Sequence, residues 1–268
     1  MPNVIAINDP EDPRIEAYRD IRERDLVGRD GLFIAEGTVV LHVLLRQSRF
    51  RPVSLLLLDR RVDALGGDLE RVPKDVPVYV ASQPVLDKVA GFPMHRGVLA
   101  LGDAQTVAEP ALDKAQLVVV GIGLSNHDNV GGLFRNAAAF GADAVLLDET
   151  SSDPLYRKAI RVSVGASLVV PFARAGSGTG LVTRLLRHGM TCLALSTTGA
   201  QTLSEASFQG PTALVLGSEG PGLPQDVLSL CQTVRISMAP GWDSLNVATA
   251  AGITLYQLRS LMPHSPNG

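Results

Sequence analysis

The sequence holds only two cysteines, Cys192 and Cys231, and neither lies in a CxxC pair or a Cys/His cluster. A disulfide framework is thereby excluded, and no ligand set for a metal site is expected. Long hydrophobic runs are also missing. Val53–Leu58, Leu117–Val120, Ala144–Leu147 and Ala213–Leu216 are strand-length, far short of the roughly 20 apolar residues that cross a bilayer. Met1–Pro13 carries acids and prolines where a secretory leader places a basic and then an apolar segment. A cytoplasmic chain without membrane contact is the expectation. No GxGxxG follows the first strand of either half of the chain, which removes the dinucleotide-dependent oxidoreductase that glycine-rich α/β chains otherwise suggest. Excess positive charge is lacking too: 24 Lys+Arg against 27 Asp+Glu leave a net charge of −3. Any nucleic-acid surface must then be a local patch rather than a bulk field. Nearly all the basic residues are arginine, the side chain suited to bidentate phosphate contacts.

What is present is a globular composition, 46% hydrophobic and 19% charged over 268 residues, enough for one large domain or two ordinary ones. Two α/β alternations follow one another. In the first, Asp12-Pro13 starts a helical segment with Ile15, Tyr18 and Ile21 on one stripe. Strand Leu32–Ala35, helix Thr38–Arg46 and strand Val53–Leu58 come next, then a Gly66-Gly67 interruption. Strand Val76–Val80, helix Pro84–Val89 and strand Val98–Leu101 complete it. Residues 1–103 form this domain and 104–115 read as a linker, small, acidic and proline-bearing. The second domain, 116–268, alternates strands at 117–120, 144–147, 168–170, 191–195, 213–216 and 234–237 with helices at 130–140, 181–188, 224–231 and 244–261. Short, near-continuous apolar strands between helices predict a parallel sheet covered on both faces.

Three loops of this second domain carry candidate chemistry. Asn126-His-Asp-Asn-Val-Gly-Gly-Leu-Phe-Arg-Asn136 leaves a buried strand and opens a helix. Val130, Phe134, Ala137 and Ala138 form its core stripe, while Asn129, Gly132, Arg135 and Asn136 face the other way. Such a glycine-rich helix start favours an anion such as a phosphate. Taken alone, an ordinary strand–helix turn with a solvated arginine is an even alternative. Leu214-Val-Leu-Gly-Ser-Glu-Gly-Pro-Gly222 runs a strand into residues that cannot continue it. Its bare backbone sits at the carboxyl end of a strand, where open α/β sheets bind ligands; the bland alternative is a tight turn with a surface glutamate. Ile236-Ser-Met-Ala-Pro-Gly-Trp-Asp-Ser-Leu-Asn246 ends a strand and starts a helix capped by Asp243 or Ser244, with Ser244 and Asn246 in its first turn. Ala248, Ala250, Ala251 and Gly252 keep that helix slim, which suits tight helix packing. For His127 an exposed loop residue is the favoured reading.

In this order, the three loops resemble the SpoU/TrmH-like branch of the SPOUT RNA methyltransferases, over about residues 116–262. Phe33-Ile-Ala-Glu-Gly37 and His95-Arg-Gly-Val98 resemble, more loosely, the substrate-binding domain many of them carry; Arg96 stands where many relatives have glutamine. The resemblance implies a C-terminal parallel-sheet domain with a deep trefoil knot, S-adenosylmethionine as cofactor, and a homodimer whose site is completed across the interface. It assigns Asn129, Arg135, Glu219, Ser244 and Asn246 to the catalytic site. Gly217, Ile236 and Leu245 match cofactor-holding positions, with Thr197, Leu216, Glu219, Gly220 and Met238 around them. Asp153–Arg161 is expected near the site, contacting phosphate. Asn136 stands where many relatives have threonine, a change expected to alter local hydrogen bonding more than chemistry.

The implied activity is methylation of a ribose 2′-hydroxyl in a structured RNA, ribosomal RNA first and transfer RNA second. A base nitrogen as methyl acceptor, or a non-catalytic RNA-binding or assembly protein of the same fold, are the competitors. Basic residues at 14–24, 46–51 and 96 would serve the RNA. In many relatives the counterpart of Arg135 is proposed as the base. A guanidinium with a pKa above about 12 is better suited to orienting phosphate and stabilising charge.

Overall fold

The computed structural model describes residues 3–19, 31–105, 108–206, 208–242 and 244–262. Ile21, Arg22, Arg24 and Asp243 lie outside them. Two compact units divide the chain: Met1–Ala108 with Leu155–Val169, and Glu109–Pro154 with Val170–Gly268. The split after Ala108 falls inside the expected linker. The segment 155–169, which the sequence reading assigns to the second domain, packs with the first.

The first unit is built on a five-stranded sheet in the order β1-β4-β3-β5-β2. Its strands are β1 (Asn3–Ile7), β2 (Leu32–Glu36), β3 (Arg51–Leu58), β4 (Pro77–Ala81) and β5 (Val98–Asp103). β1 and β3 pair parallel with β4, whereas β5 runs antiparallel to both β2 and β3. Between these strands lie helices α1 (Thr38–Arg46), α2 (Gly66–Leu69) and α3 (Gln83–Ala90). The Gly66-Gly67 pair therefore starts a short helix rather than interrupting the chain. The segment after Asp12 is two turns of 3₁₀ helix, Pro13–Tyr18, whose cap is the Asp12 carboxylate accepting from the Arg14 amide. Ile15 and Tyr18 are fully buried by it, and the Tyr18 hydroxyl shares a 2.8 Å hydrogen bond with the buried Ser54 hydroxyl. Burial pushes the Tyr18 phenol well above its ordinary pKa, the Ser54 bond opposing the shift.

The segment that joins this unit from the far side of the sequence carries α4 (Arg157–Val162), which the sequence reading passed over as a polar stretch. Its Arg157 forms an ion pair with Glu36 at the end of β2, and the Arg161 guanidinium lies 4.0 Å from the same carboxylate. Glu36 is only 6% exposed. Arg157 also stacks over the Phe92 ring at 5.6 Å. A carboxylate this buried requires such a partner.

The second unit holds a seven-stranded sheet, order β10-β12-β9-β11-β6-β7-β8, parallel throughout. The strands are β6 (Leu117–Gly121), β7 (Ala144–Leu147), β8 (Phe172–Arg174), β9 (Thr191–Leu195), β10 (Gln201–Thr202), β11 (Thr212–Leu216) and β12 (Gln232–Arg235). Every residue of β6, β7 and β11 is buried, as expected of a parallel sheet covered on both faces. On one face Val118, Val120, Ala144, Leu146, Ala213 and Val215 pack against Leu181, Val182 and Leu185 of α6 (Gly178–Arg187). Helices α5 (His127–Ala139) and α8 (Val247–Leu261) contact β7 and β11 and pack on each other, and α7 (Gln225–Leu228) precedes β12.

Three expectations change. Residues 168–170 are not a strand: a 3₁₀ turn, Ala166–Leu168, ends there and the strand is Phe172–Arg174. Helix α8 begins at Val247, so Ser244 lies before it and Asn246 is its cap. Ala138 on α5 is exposed, leaving the core stripe to Val130, Leu133, Phe134 and Ala137. Among the described residues no helix is long and apolar enough to cross a membrane, and no group of His, Cys, Asp or Glu is arranged to hold a metal.

Candidate functional site

The carboxyl ends of β9, β11 and β12 open into one cavity of about 770 Å³. This is where a parallel sheet offers strand-end loops to a ligand, and the volume suits a nucleotide-sized molecule. Each loop is shaped by its own sequence. After β11, the backbone turns at Ser218, which bridges to Gly222 and accepts its amide at 3.2 Å. Gly220 and Gly222 take positive φ, +89° and +70°, that residues with side chains avoid. Gly217 is fixed differently: a Cβ there would lie 2.4 Å from the Gly222 carbonyl carbon and 2.5 Å from the Leu223 nitrogen. Only glycine lets the loop fold back on itself at this point.

After β12, the Trp242 amide donates to the Ala239 carbonyl at 3.2 Å across a turn that sets Gly241 at φ +88°. The chain then reaches Asn246. Its side-chain oxygen accepts from the amides of Ala248 (3.0 Å) and Thr249 (3.3 Å), capping α8. Its side-chain nitrogen donates to Asn129 Oδ1 and to Glu219 Oε1, each at 2.9 Å. One amide thus ties the three loops together, with both donor hydrogens and its acceptor in use. Asn129 is brought to this point by α5, whose first turn is capped by the Asn126 side chain accepting from the Asp128 amide at 2.8 Å.

Thr197, Leu216, Gly217, Glu219, Gly220, Ile236, Met238 and Leu245, the expected cofactor positions, all line the cavity, as do Ser244 and Asn246. Asn129 does not line it but is held to it through Asn246. Arg135 does not line it either. It is exposed on α5 and has no ion-pair partner among the described residues. His127 is the first residue of α5 and half-buried, rather than an exposed loop residue. Arg157 and Arg161 are drawn to Glu36 in the first unit, so the expected phosphate contacts of 153–161 compete with that pairing.

Sequence reasoning missed Ser196 and Thr198, which border the cavity after β9. The Ser196 hydroxyl accepts from the Thr198 amide at 3.3 Å, and Gly199 packs directly on the Val234 and Arg235 backbone. Polar residues and a glycine after a buried strand were a readable signal, though weaker than the other loops. Val247 and Ala250, the inward face of the first turn of α8, also close the cavity.

A parallel sheet with a ligand cavity at its strand ends, closed by three glycine-bearing loops, defines a nucleotide-type α/β enzyme domain. Residues 116–256 match the model of the SpoU rRNA Methylase family. The chain is 41% identical to an uncharacterised tRNA/rRNA methyltransferase of Mycobacterium bovis, over 95% of this chain and 91% of that protein. It is 32% identical to the 23S rRNA (guanosine-2′-O-)-methyltransferase RlmB of Ralstonia nicotianae, over 70% of this chain and 80% of that protein. In structure it is similar to a putative RNA methyltransferase of the TrmH family from Porphyromonas gingivalis, with a TM-score of 0.79, 25% identity, and coverage of 93% and 98% of the two chains. The chain belongs to the SpoU family of RNA methyltransferases.

Proposed function

We propose that this chain transfers a methyl group from S-adenosylmethionine to a ribose 2′-hydroxyl of an RNA, ribosomal RNA first and transfer RNA second. The observation that carries the reading is the Asn246 junction, which joins Asn129, Glu219 and the cofactor-sized cavity in one hydrogen-bonded unit. The cavity fits the cofactor on chemical grounds. Leu195, Leu216, Ile236, Met238 and Leu245 offer an apolar wall, and the backbone of Gly217–Gly220 offers hydrogen-bonding edges. Glu219 adds an acceptor suited to a cationic ligand. S-adenosylmethionine supplies, when bound, a methyl group on a positively charged sulfonium. The named relative that methylates a guanosine 2′-oxygen supports the ribose as acceptor and ribosomal RNA as the first target.

The work left to the protein is positioning and charge control. The hydroxyl must lie in line with the departing sulfur, and its proton must leave as the new O–C bond forms. Asn246 commits its amide to Asn129, Glu219 and the start of α8, so its part is to set the Glu219 carboxylate, which with the neighbouring Ser244 lines the cavity and is suited to hold that hydroxyl. Arg135 is exposed and has no ionic partner among the described residues, which suits it to an RNA phosphate and to the charge that develops on transfer. The reading extends to a homodimer with a knotted C-terminal segment. The exposed apolar residues Ile253 and Tyr256 of α8, with Tyr256 edge-on to Phe140 at 6.2 Å, support a protein contact on that side. The test is calorimetric titration with S-adenosylhomocysteine, followed by mapping of methylated riboses in rRNA transcripts treated with the protein. Saturable binding and a single modified ribose are expected. No binding at millimolar ligand by a folded protein would favour an RNA-binding role without catalysis.

A further inference from the structure

Asn136 follows Arg135 on α5, and its side-chain nitrogen donates to the Ala248 carbonyl at 2.6 Å. Ala248 is also the residue whose amide the Asn246 side chain caps at 3.0 Å. The first turn of α8 is therefore gripped twice by α5: Asn136 holds Ala248, and seven residues earlier on the same helix Asn129 accepts from Asn246 at 2.9 Å. Residues seven apart lie on one helix face, two turns separated. α8 is already packed on α5 and β11 through its buried residues, and the two separated bonds add directional ties that fix where its first turn sits on α5. The packing is built to permit them. A Cβ at Gly132 would stand 2.6 Å from the Ala248 Cβ, and one at Gly252 would meet the Asn136 amide at 3.3 Å. Two glycines, one per helix, let the backbones approach closely enough for a short side chain to bridge them.

We infer that Asn136 is a positioning residue for methyl transfer, acting through the Ala248 peptide to fix Asn246 against Asn129 and Glu219. The inference rests on the methyltransferase reading for its kinetic part, and on the hydrogen bonds alone for its structural part. It departs from the expectation that asparagine in place of threonine here alters local hydrogen bonding more than chemistry. The bond it makes is to the very peptide that Asn246 caps, so loosening it loosens the junction of the three loops. Arg135, its chain neighbour, is affected only through the helix they share.

Two variants and two readouts test this. In Asn136→Ala the bond is lost. Transfer of tritiated methyl from S-adenosylmethionine to transcribed 23S rRNA should fall about tenfold in kcat, while KM for RNA and Kd for S-adenosylhomocysteine stay within about twofold. Amide hydrogen exchange at Ala248 and Thr249 should quicken. In Asn136→Asp the ionised carboxylate cannot donate and faces a carbonyl. Its kcat should fall further at pH 8 and recover in acid, where the protonated carboxyl donates to Ala248; the native enzyme should lack that recovery. In an Asn246→Ala background, Asn136→Ala should add less than about twofold, because the path it acts through is already broken. Native kcat and native exchange in Asn136→Ala would overturn the inference, as would losses that simply multiply. If the native protein transfers no methyl, the reaction reading fails by itself. The latch is then decided by exchange at Ala248 and Thr249: faster exchange supports it and unchanged exchange overturns it. Should the alanine variant fail to fold, Asn136→Thr, which keeps a hydroxyl donor, is read by the same exchange and kinetic criteria.

Discussion

The ion pairs of the first unit and the surroundings of the cavity in the second use charge in opposite ways. In the first, charges neutralise one another. Glu36 is buried beneath Arg157, Arg46 pairs with Asp68, Arg51 with Asp75, and Arg14 with Asp12. Around the cavity of the second unit, Glu219 is held by a neutral amide instead, and Arg135 has no ionic partner among the described residues. A carboxylate held by Asn246 is not neutralised by that amide, and a guanidinium with no ionic partner among the described residues keeps its donors. The same residue types thus serve cohesion in these pairs, as Arg184 and Glu109 do in the second unit too, and remain available to a ligand around the cavity. Counting arginines cannot tell these uses apart; only their partners can.

Four changes would break or sharpen this contrast. The largest effect is expected at Arg135. Arg135→Ala should lower methyl transfer to RNA by about a thousandfold or more, the scale of removing a group that stabilises developing charge. Cofactor affinity, measured by calorimetry, should stay within a few-fold because Arg135 is outside the cavity. Full activity would place that charge control elsewhere. Next is Glu36→Ala, which strips Arg157 of its buried partner. Urea unfolding should show a loss of about 3–5 kcal/mol, with cofactor affinity little changed, since Glu36 is no part of the cavity lining. A loss under about 1 kcal/mol would make this an ordinary surface pair.

Third, Gly217→Ala sets a Cβ against the backbone of Gly222 and Leu223. The loop must open, and affinity for S-adenosylhomocysteine should drop at least about tenfold, a cost of roughly 1.4 kcal/mol. Unchanged binding would mean that the loop does not shape the cofactor site. The smallest effect concerns acid. Burial raises the pKa of Asp148, but the Ser151 and Thr150 hydroxyls and the Gly123 and Ser151 amides outweigh it, holding the carboxyl below its ordinary 3.8. A depressed folded pKa contributes stability that is present above the unfolded value and lost as pH falls through the folded one. Melting curves of the native protein should therefore lose that increment below about pH 4, and Asp148→Asn should flatten the loss.

Much of the second unit was legible in the sequence because its signals are local. A run such as Leu117–Val120 or Ala213–Leu216 has to be a buried strand, and a glycine-rich break after it has to be a loop at the strand's carboxyl end. The expected cofactor residues converge for that reason: strands in a parallel sheet present their ends on one side. The first unit was less legible. The alternation gave α1 and most strands, but β1 and α4 were missed. Val4 and its neighbours in an edge strand are half exposed and carry no clean period, and α4 is a six-residue helix that packs on β2, more than 120 positions away in the chain. The start of α8 was misplaced because Asp243, Ser244 and Asn246 are all good caps; tertiary bonds from Asn246 to Asn129 and Glu219 decide among them.

By itself, the sequence determined the two α/β alternations, the parallel core of the second and the loops that carry chemistry, since hydrophobic period and glycine placement act over a few residues. Only the tertiary structure decided that Asn246 joins all three loops, that Arg157 belongs to Glu36, and that Arg135 has no ionic partner among the described residues. The Asn246–Asn129 and Arg157–Glu36 contacts join groups more than 100 residues apart in the chain, and hydrogen bonds and ion pairs are settled by proximity in space, which no local pattern encodes.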